Sequence, residues 1–336
     1  MPGGTTGLVR ALASPASLKG VLSAVEAAAS LARGFRRAGA QAEELPLADG
    51  GEGTAEVLGA TVTRVEAVHD AFGRPRRAPM RELPDGTVVV ESAEVIPLDP
   101  LRLDVRAASS RGLGELIARV GPCPRLLVCL GGTATMDAGA GLLEVLEELP
   151  GPTTALCDVR ATLAQAPRLF GPQKGALADD VTELERRFAD QLQSFAKLPG
   201  AGAAGGLGAA LASLGAELVP GAAFVLDAVG FRERAARADV VVTGEGTVDG
   251  TTFHGKAPGE AVRTCEELGV RCVLFGGRVE DGVDAQPLSG DPARAATDLE
   301  ELATTLAGPG APVGGGNRRA AGKRESRSRR RRRTSS

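Results

Sequence analysis

Two short apolar runs end directly in glycine clusters. Arg125 to Leu130 (RLLVCL) leads into Gly131-Gly132-Thr133-Ala134-Thr135-Met136-Asp137-Ala138-Gly139-Ala140-Gly141. Asp239 to Val242 (DVVV) leads into Thr243-Gly244-Glu245-Gly246-Thr247-Val248-Asp249. A continuous apolar run without alternation suits a strand covered on both faces, and such strands belong to parallel sheets flanked by helices. Helical spacing over Val21 to Ala38, with Gly39 as the C-terminal cap, predicts a helix. Further helices are expected at Gly114 to Val120, Asp180 to Ala196, Ala209 to Leu214, Phe224 to Ala236, Ala257 to Leu268 and Asp298 to Leu306. Strands are expected at Gly7 to Ala13, Thr61 to Val68, Thr87 to Val90, Ala155 to Val159 and Arg271 to Phe275, with Pro84-Asp85-Gly86 as a turn. Buried strands feeding glycine turns and then helices predict an α/β protein, whose ligands lie beyond the carboxyl ends of the strands.

At 336 residues, 43% of them hydrophobic and 24% charged, the chain can bury a sizeable core. That balance excludes a mainly disordered chain, a disulfide mini-domain and a polytopic membrane protein. No uninterrupted apolar run reaches the ~18 residues of a membrane helix. Met1 to Arg10 shows no basic segment leading into an apolar one, so no secretory signal is expected. The cysteines (Cys123, Cys129, Cys157, Cys265, Cys272) are odd in number and form no CxxC pair, which reads as reduced thiols in a cytoplasmic protein. Trp and Tyr are absent, so the body lacks the stacking platforms of a single-strand nucleic-acid binder.

The net charge of −3 hides an asymmetry: residues 317–336 carry ten basic side chains and one acid, leaving the body at −12. Such a tail cannot bury apolar surface and is expected to be disordered over 309–336, with at most weak, unspecific nucleic-acid contacts.

Carboxylates sit inside the glycine clusters, including a third one, Ala48-Asp49-Gly50-Gly51-Glu52-Gly53-Thr54. A strand running into Gly, Thr and Asp presents backbone N–H groups at a helix start, where phosphate binds. The carboxylates can hold Mg²⁺ or accept a proton from a hydroxyl. The plainer reading is tight turns and helix caps, above all for Asp137. Within the body Lys19, Lys174 and Lys256 each adjoin glycine, where a mobile cation can meet an anion. Gly200 to Gly208 (GAGAAGGLG) either cradles a phosphate or packs a helix against a sheet. There is no Walker A sequence and no GxSxG elbow, and neither His69 nor His254 has a zinc-ligand partner at the usual spacing. A site role for His254 rests only on its nearness to Lys256. Glu245 and Asp249, four apart after a buried strand, face one cleft if the turn opens a helix. Asp158 is flanked by the apolar ALC and by Val159, so partial desolvation raises its pKa toward that of a useful base. The alternative is a buried Asp that hydrogen-bonds a neighbouring loop.

These pieces, in this order, resemble the bacterial class I glycerate kinase family: SPASLKGVLSA (14–24), LADGGEGT (47–54), GGTATMDAGAG (131–141), CDV (157–159), FGPQKGA (170–176), LPGAGAAGGLGAAL (198–211) and TGEGTVDGTTFHGK (243–256). Departures from the family pattern are Ala16 for Asp, Met136 for Asn, Ala161-Thr162 for Asn-Pro, Thr247 for Arg and Thr251 for Gln, and the stretch from Gly141 to Cys157 is shorter. The resemblance implies two α/β domains, a flavodoxin/Rossmann-like parallel-sheet domain (1–58 and 235–308) and an inserted mixed-sheet domain (59–234). It implies transfer of the ATP γ-phosphoryl group to a hydroxyl of D-glycerate, with 2-phosphoglycerate favoured over 3-phosphoglycerate. A catalytically weak phosphoanion-binding homologue with a regulatory tail is the alternative.

Residues and resemblance together assign catalysis to Asp158 as general base, supported by Asp49, Asp137 and Lys19. ATP is assigned to Gly131, Gly132, Thr133, Lys174, Gly205, Gly206 and Lys256. Substrate is assigned to Glu52, Glu245 and Asp249, and Mg²⁺ to Glu245 and Asp249.

Overall fold

The computed structural model describes residues 8–307, so the basic tail lies outside the described residues. Among them, eleven strands form two sheets. They are β1 (Arg10–Ala13), β2 (Gln41–Glu44), β3 (Thr61–His69), β4 (Pro75–Glu82), β5 (Val88–Glu91), β6 (Leu126–Leu130), β7 (Thr153–Cys157), β8 (Glu217–Pro220), β9 (Val240–Val248), β10 (Cys272–Val279) and β11 (Gln286–Pro287). One sheet, ordered β11-β10-β9-β1-β2, is parallel throughout. The other, β3-β4-β5-β6-β7-β8, is antiparallel from β3 to β5 and parallel from β5 to β8. The chain makes β1 and β2, builds the whole mixed sheet, and returns to the parallel sheet for β9 to β11. This is the α/β class that the apolar strands and glycine turns predict.

The parallel sheet buries both faces. Successive side chains alternate across a strand. Ala11, Ala13, Val240 and Val242 pack with Leu31, Phe35 and Leu299 of the helices Ala24–Arg37 and Ala295–Ala307. Leu12 and Val241 pack on the other side with Leu226, Phe231 and Ala261. The helix Ala24–Arg37 opens on a capping box, in which Ser23 Oγ accepts the Glu26 N–H and Glu26 accepts the Ser23 N–H. In the mixed sheet every residue of β6 and of β7 is buried.

The expected elements differ at informative places. β7 ends at Cys157, so Asp158 stands just past the strand's carboxyl end. β9 runs on to Val248 instead of stopping at Val242, which places Glu245 and Thr247 within a strand. The helix expected from Phe224 to Ala236 is two, Gly221–Ala228 and Phe231–Ala235, divided at Gly230 with φ +63°. The helix expected from Asp180 to Ala196 ends at Asp190. No described helix is long and apolar enough to cross a membrane.

Candidate active site

The carboxyl ends of β1, β2, β9 and β10 face those of β5, β6 and β7 across a cleft of about 1650 Å³. A single small-ligand pocket measures ~300–1000 Å³, so this cleft has room for two ligands.

At its floor are two carboxylates. Asp49 follows β2, where the buried Leu45 and Leu47 anchor the turn. Its Oδ1 accepts the N–H of Ala257, the first residue of the helix Ala257–Leu268. Burial pushes the Asp49 carboxyl up to about 6; the Ala257 N–H opposes this, Glu245 adds to it, and Lys256 and Lys19 oppose it. Asp158 is held by its own N–H donating to Leu130 O at 3.2 Å, and its side chain lies against Gly131. A Cβ at Gly131 would come within 2.6 Å of Asp158 Oδ2, so a side chain there would displace the Asp158 carboxylate. Burial, and then the charge of Asp49, push Asp158 up to about 7, against Lys174 and Lys19. Asp158 Oδ1 is buried without a hydrogen-bond partner.

The walls carry further charges. Lys19 faces Glu52 at 3.8 Å, both largely exposed, beside Gly132. Lys256 Nζ lies 3.2 Å from Glu245 Oε2, and Thr252 Oγ1 donates to Glu245 Oε1 at 2.8 Å. Of the residues expected at the site, the cleft therefore brings together Asp49, Asp158, Lys19, Glu52, Gly131, Gly132, Glu245 and Lys256.

Several others lie elsewhere. Asp137 Oδ2 accepts Ser110 N–H and O–H, both at 2.8 Å, and Gly141 N–H at 3.2 Å, while Oδ1 accepts Gly139 N–H at 3.1 Å. Its lone pairs are occupied in holding a turn together, and it does not line the cleft; the catalytic assignment is corrected to a structural one. Lys174 is buried behind the glycine turn, donating to Thr135 O at 2.9 Å and lying 3.4 Å from Thr133 Oγ1. Burial lowers its pKa to about 8, against the pull of Asp158 and Asp137. Lys174 and the buried Thr133 thus support the turn from behind instead of meeting ATP.

Gly205 and Gly206 are packing glycines. Both have positive φ, and a Cβ on Gly205 would sit 1.8 Å from Thr135 O and one on Gly206 2.6 Å from Ala138 Cα. The ATP assignment is replaced by close backbone contact with the 131–141 turn. Asp249 accepts the Thr251 N–H and O–H in a local turn and is absent from the cleft lining. Thr252 Oγ1 links the two acids, accepting the Asp249 N–H at 3.1 Å and donating to Glu245 Oε1 at 2.8 Å, while the Asp249 carboxylate is taken up by Thr251. Among the described residues no cluster of three or more His, Cys, Asp or Glu side chains could hold a metal. His254 is exposed and outside the lining.

Three features were not picked out from the sequence. Glu91, at the end of β5, accepts the N–H groups of Gly53 (3.1 Å) and Ala55 (2.7 Å) and so ties the mixed sheet to the Asp49 turn. Burial raises its pKa. Arg81 and Glu94 form an ion pair on the wall, and Arg278 lines the opposite side. Their only signal is position at or near strand ends, which needs the strand bounds. Of the departures noted in the sequence, Ala16 and Thr247 line the cleft, and Met136 is fully buried in the core.

The glycerate kinase family model matches residues 11–148 and 152–307. Glycerate kinase of Bacillus subtilis (strain 168) is 34% identical over 340 residues, covering 82% of this chain and 89% of the relative. Glycerate 2-kinase of Escherichia coli (strain K12) is 33% identical over 302 residues, covering 73% and 79%. A crystal structure assigned to glycerate kinase 2 of Salmonella typhimurium LT2 superposes with a TM-score of 0.71 at 28% identity, covering 90% of this chain and 98% of the other.

Proposed function

The chain belongs to the glycerate kinase family, and we propose that its cleft transfers the γ-phosphoryl group of ATP to the 2-hydroxyl of D-glycerate, forming 2-phosphoglycerate. The carrying observation is the Asp49–Asp158 pair at the cleft floor, with Asp158 raised to about 7. Phosphoryl transfer requires positioning and charge neutralisation, and a group to take the hydroxyl proton as the phosphoryl arrives. Asp158, with an unpartnered Oδ1, is the general base. Asp49 keeps its proton affinity high by like charge and fixes the start of the helix Ala257–Leu268. Lys19 and Lys256 offset charge on the phosphates, and Gly131 and Gly132 line the cleft beside them. The choice of the 2-hydroxyl is supported by the Escherichia coli relative named glycerate 2-kinase.

The donors fit Mg²⁺. Mg²⁺ takes oxygen ligands, commonly one or two carboxylates plus substrate phosphates, and the carboxylates of Asp49 and Glu245 both line the cleft. Glu245 and Asp49 are the proposed holders, in place of the Glu245–Asp249 pair. The ion would supply charge neutralisation on the phosphate oxygens. We divide the working bodies between residues 58 and 59 and between 234 and 235, so that closure carries Asp158 toward Asp49 and Lys256.

The test is ADP release in a coupled assay with ATP, Mg²⁺ and D-glycerate, with phosphorus NMR of the product. A 2-phosphate resonance supports the reading. A 3-phosphate product overturns the position, and absence of D-glycerate-dependent ADP release overturns the activity.

A further inference from the structure

Four cationic side chains line the cleft, and three already face a carboxylate: Lys19 faces Glu52, Arg81 faces Glu94, and Lys256 faces Glu245. Arg278 is the fourth. It is exposed, and among the described residues its guanidinium has neither an ion-pair nor a hydrogen-bond partner. Arg278 of β10 stands in direct register with Thr247 of β9, just as Gly276 stands opposite Glu245. In-register neighbours on adjacent strands share a face, and so do residues two apart along a strand. Glu245, Thr247 and Arg278 therefore point to one side, and all three line the cleft. Thr247 is also where this chain departs from the arginine of the family it resembles.

The lining carries nine carboxylates against these four cations. Lys19 and Lys256 must loosen an existing ion pair to meet a ligand, so two anionic ligands entering such a cleft gain from a further cation that gives up none. A guanidinium presents paired N–H donors that match a carboxylate or a phosphate, and one without a partner loses no ion pair on binding.

We propose that Arg278 is an oxyanion-binding residue of this cleft, taking a nucleotide phosphate or the carboxylate of glycerate from the neighbouring strand, in place of a guanidinium at position 247. The choice of ligands rests on the kinase reading. Because the exchange is between adjacent strands, the guanidinium can be moved back by a two-residue swap.

Binding of Mg²⁺–ADP and of D-glycerate is to be measured separately by calorimetry on the wild type, Arg278→Gln, Arg278→Lys and the double variant Thr247→Arg/Arg278→Gln. Arg278→Gln should weaken one of the two ligands by about tenfold or more with Tm unchanged. Arg278→Lys, which keeps the charge but loses the fork, should fall between. The double variant should recover most of the loss. A loss confined to ADP assigns the phosphate, and one confined to D-glycerate assigns the carboxylate. Wild-type affinity for both ligands in Arg278→Gln overturns the proposal, as does a loss that the double variant does not reduce, or a wild type that binds neither ligand. ADP release with D-glycerate is scored separately. Its absence defeats the kinase reading, while a selective, rescuable binding loss still establishes Arg278.

Discussion

Asp49 Oδ1 accepts the Ala257 N–H at 2.5 Å, joining a turn and a helix start 208 residues apart. The contact puts a carboxylate at the positive end of a helix, which favours its charged form. Burial wins nonetheless, and Asp49 titrates near 6 while its neighbour Asp158 titrates near 7. The charge of Asp49 is one of the causes that raise Asp158. In the free enzyme the base is then silenced by protonation at acid pH. We expect kcat/KM to climb as pH rises through about 6 to about 7. A flat profile across that range would remove Asp158 as the base.

Two substitutions should move that acid limb in opposite directions. Asp49→Asn deletes the like charge that raises Asp158, so the limb should move to lower pH. Lys174→Met deletes a cation that lowers Asp158, so the limb should move to higher pH. Lys174→Met also leaves Thr135 O without its donor, so kcat should fall more than in Lys197→Met, which alters a lysine outside the cleft lining. Limbs that move the same way in both variants would mean that the observed titration belongs to another group.

What the sequence made legible was the pair of apolar strands with their glycine turns, and hence the parallel pairing and the cleft at the strand ends. Asp158 was legible for the same reason: a carboxylate between apolar residues has few places to be except a strand end. The polar strands were not. β2 (QAEE) is an edge strand with mostly exposed side chains, and β4 contains Pro75, Pro79 and three arginines, so neither carries an apolar run. The turn expected between Glu245 and Asp249 is a strand, because the glycine-rich TGEGTV is held extended by β10 along its length. Arg278 gave no signal, since one arginine among many is informative only once its register with Thr247 is known.

Gly205 separates two readings of the glycine-rich segment. With φ +73° and Thr135 O in the space a Cβ needs, Gly205→Ala strains the backbone and pushes the 131–141 turn outward. We expect a loss of stability of roughly 2–4 kcal/mol by chemical denaturation, within the range of severe steric substitutions. A Gly205→Ala protein of normal stability whose only defect is a raised KM for ATP would restore the phosphate-cradle reading.

Asp158→Asn should cost activity and add stability. Asparagine keeps the shape but cannot take the hydroxyl proton, so kcat should fall by about 10²–10⁴ with nucleotide affinity little changed. Stability moves the other way. The folded-state pKa of about 7 lies above the unfolded value of ~3.9. The unfolded chain therefore gives up this proton first, and the folded state loses stability as pH rises from about 4 through about 7. Above that window the wild type carries a buried charge that Asp158→Asn does not. The variant should be more stable at about pH 8, by roughly 1–3 kcal/mol, with the gap closing toward about pH 4. Thermal melts of the ligand-free proteins at both pH values decide it. A variant less stable than wild type at pH 8 would show that the Asp158 carboxylate is held by favourable contacts, and its elevated proton affinity, with the base assignment built on it, would fall.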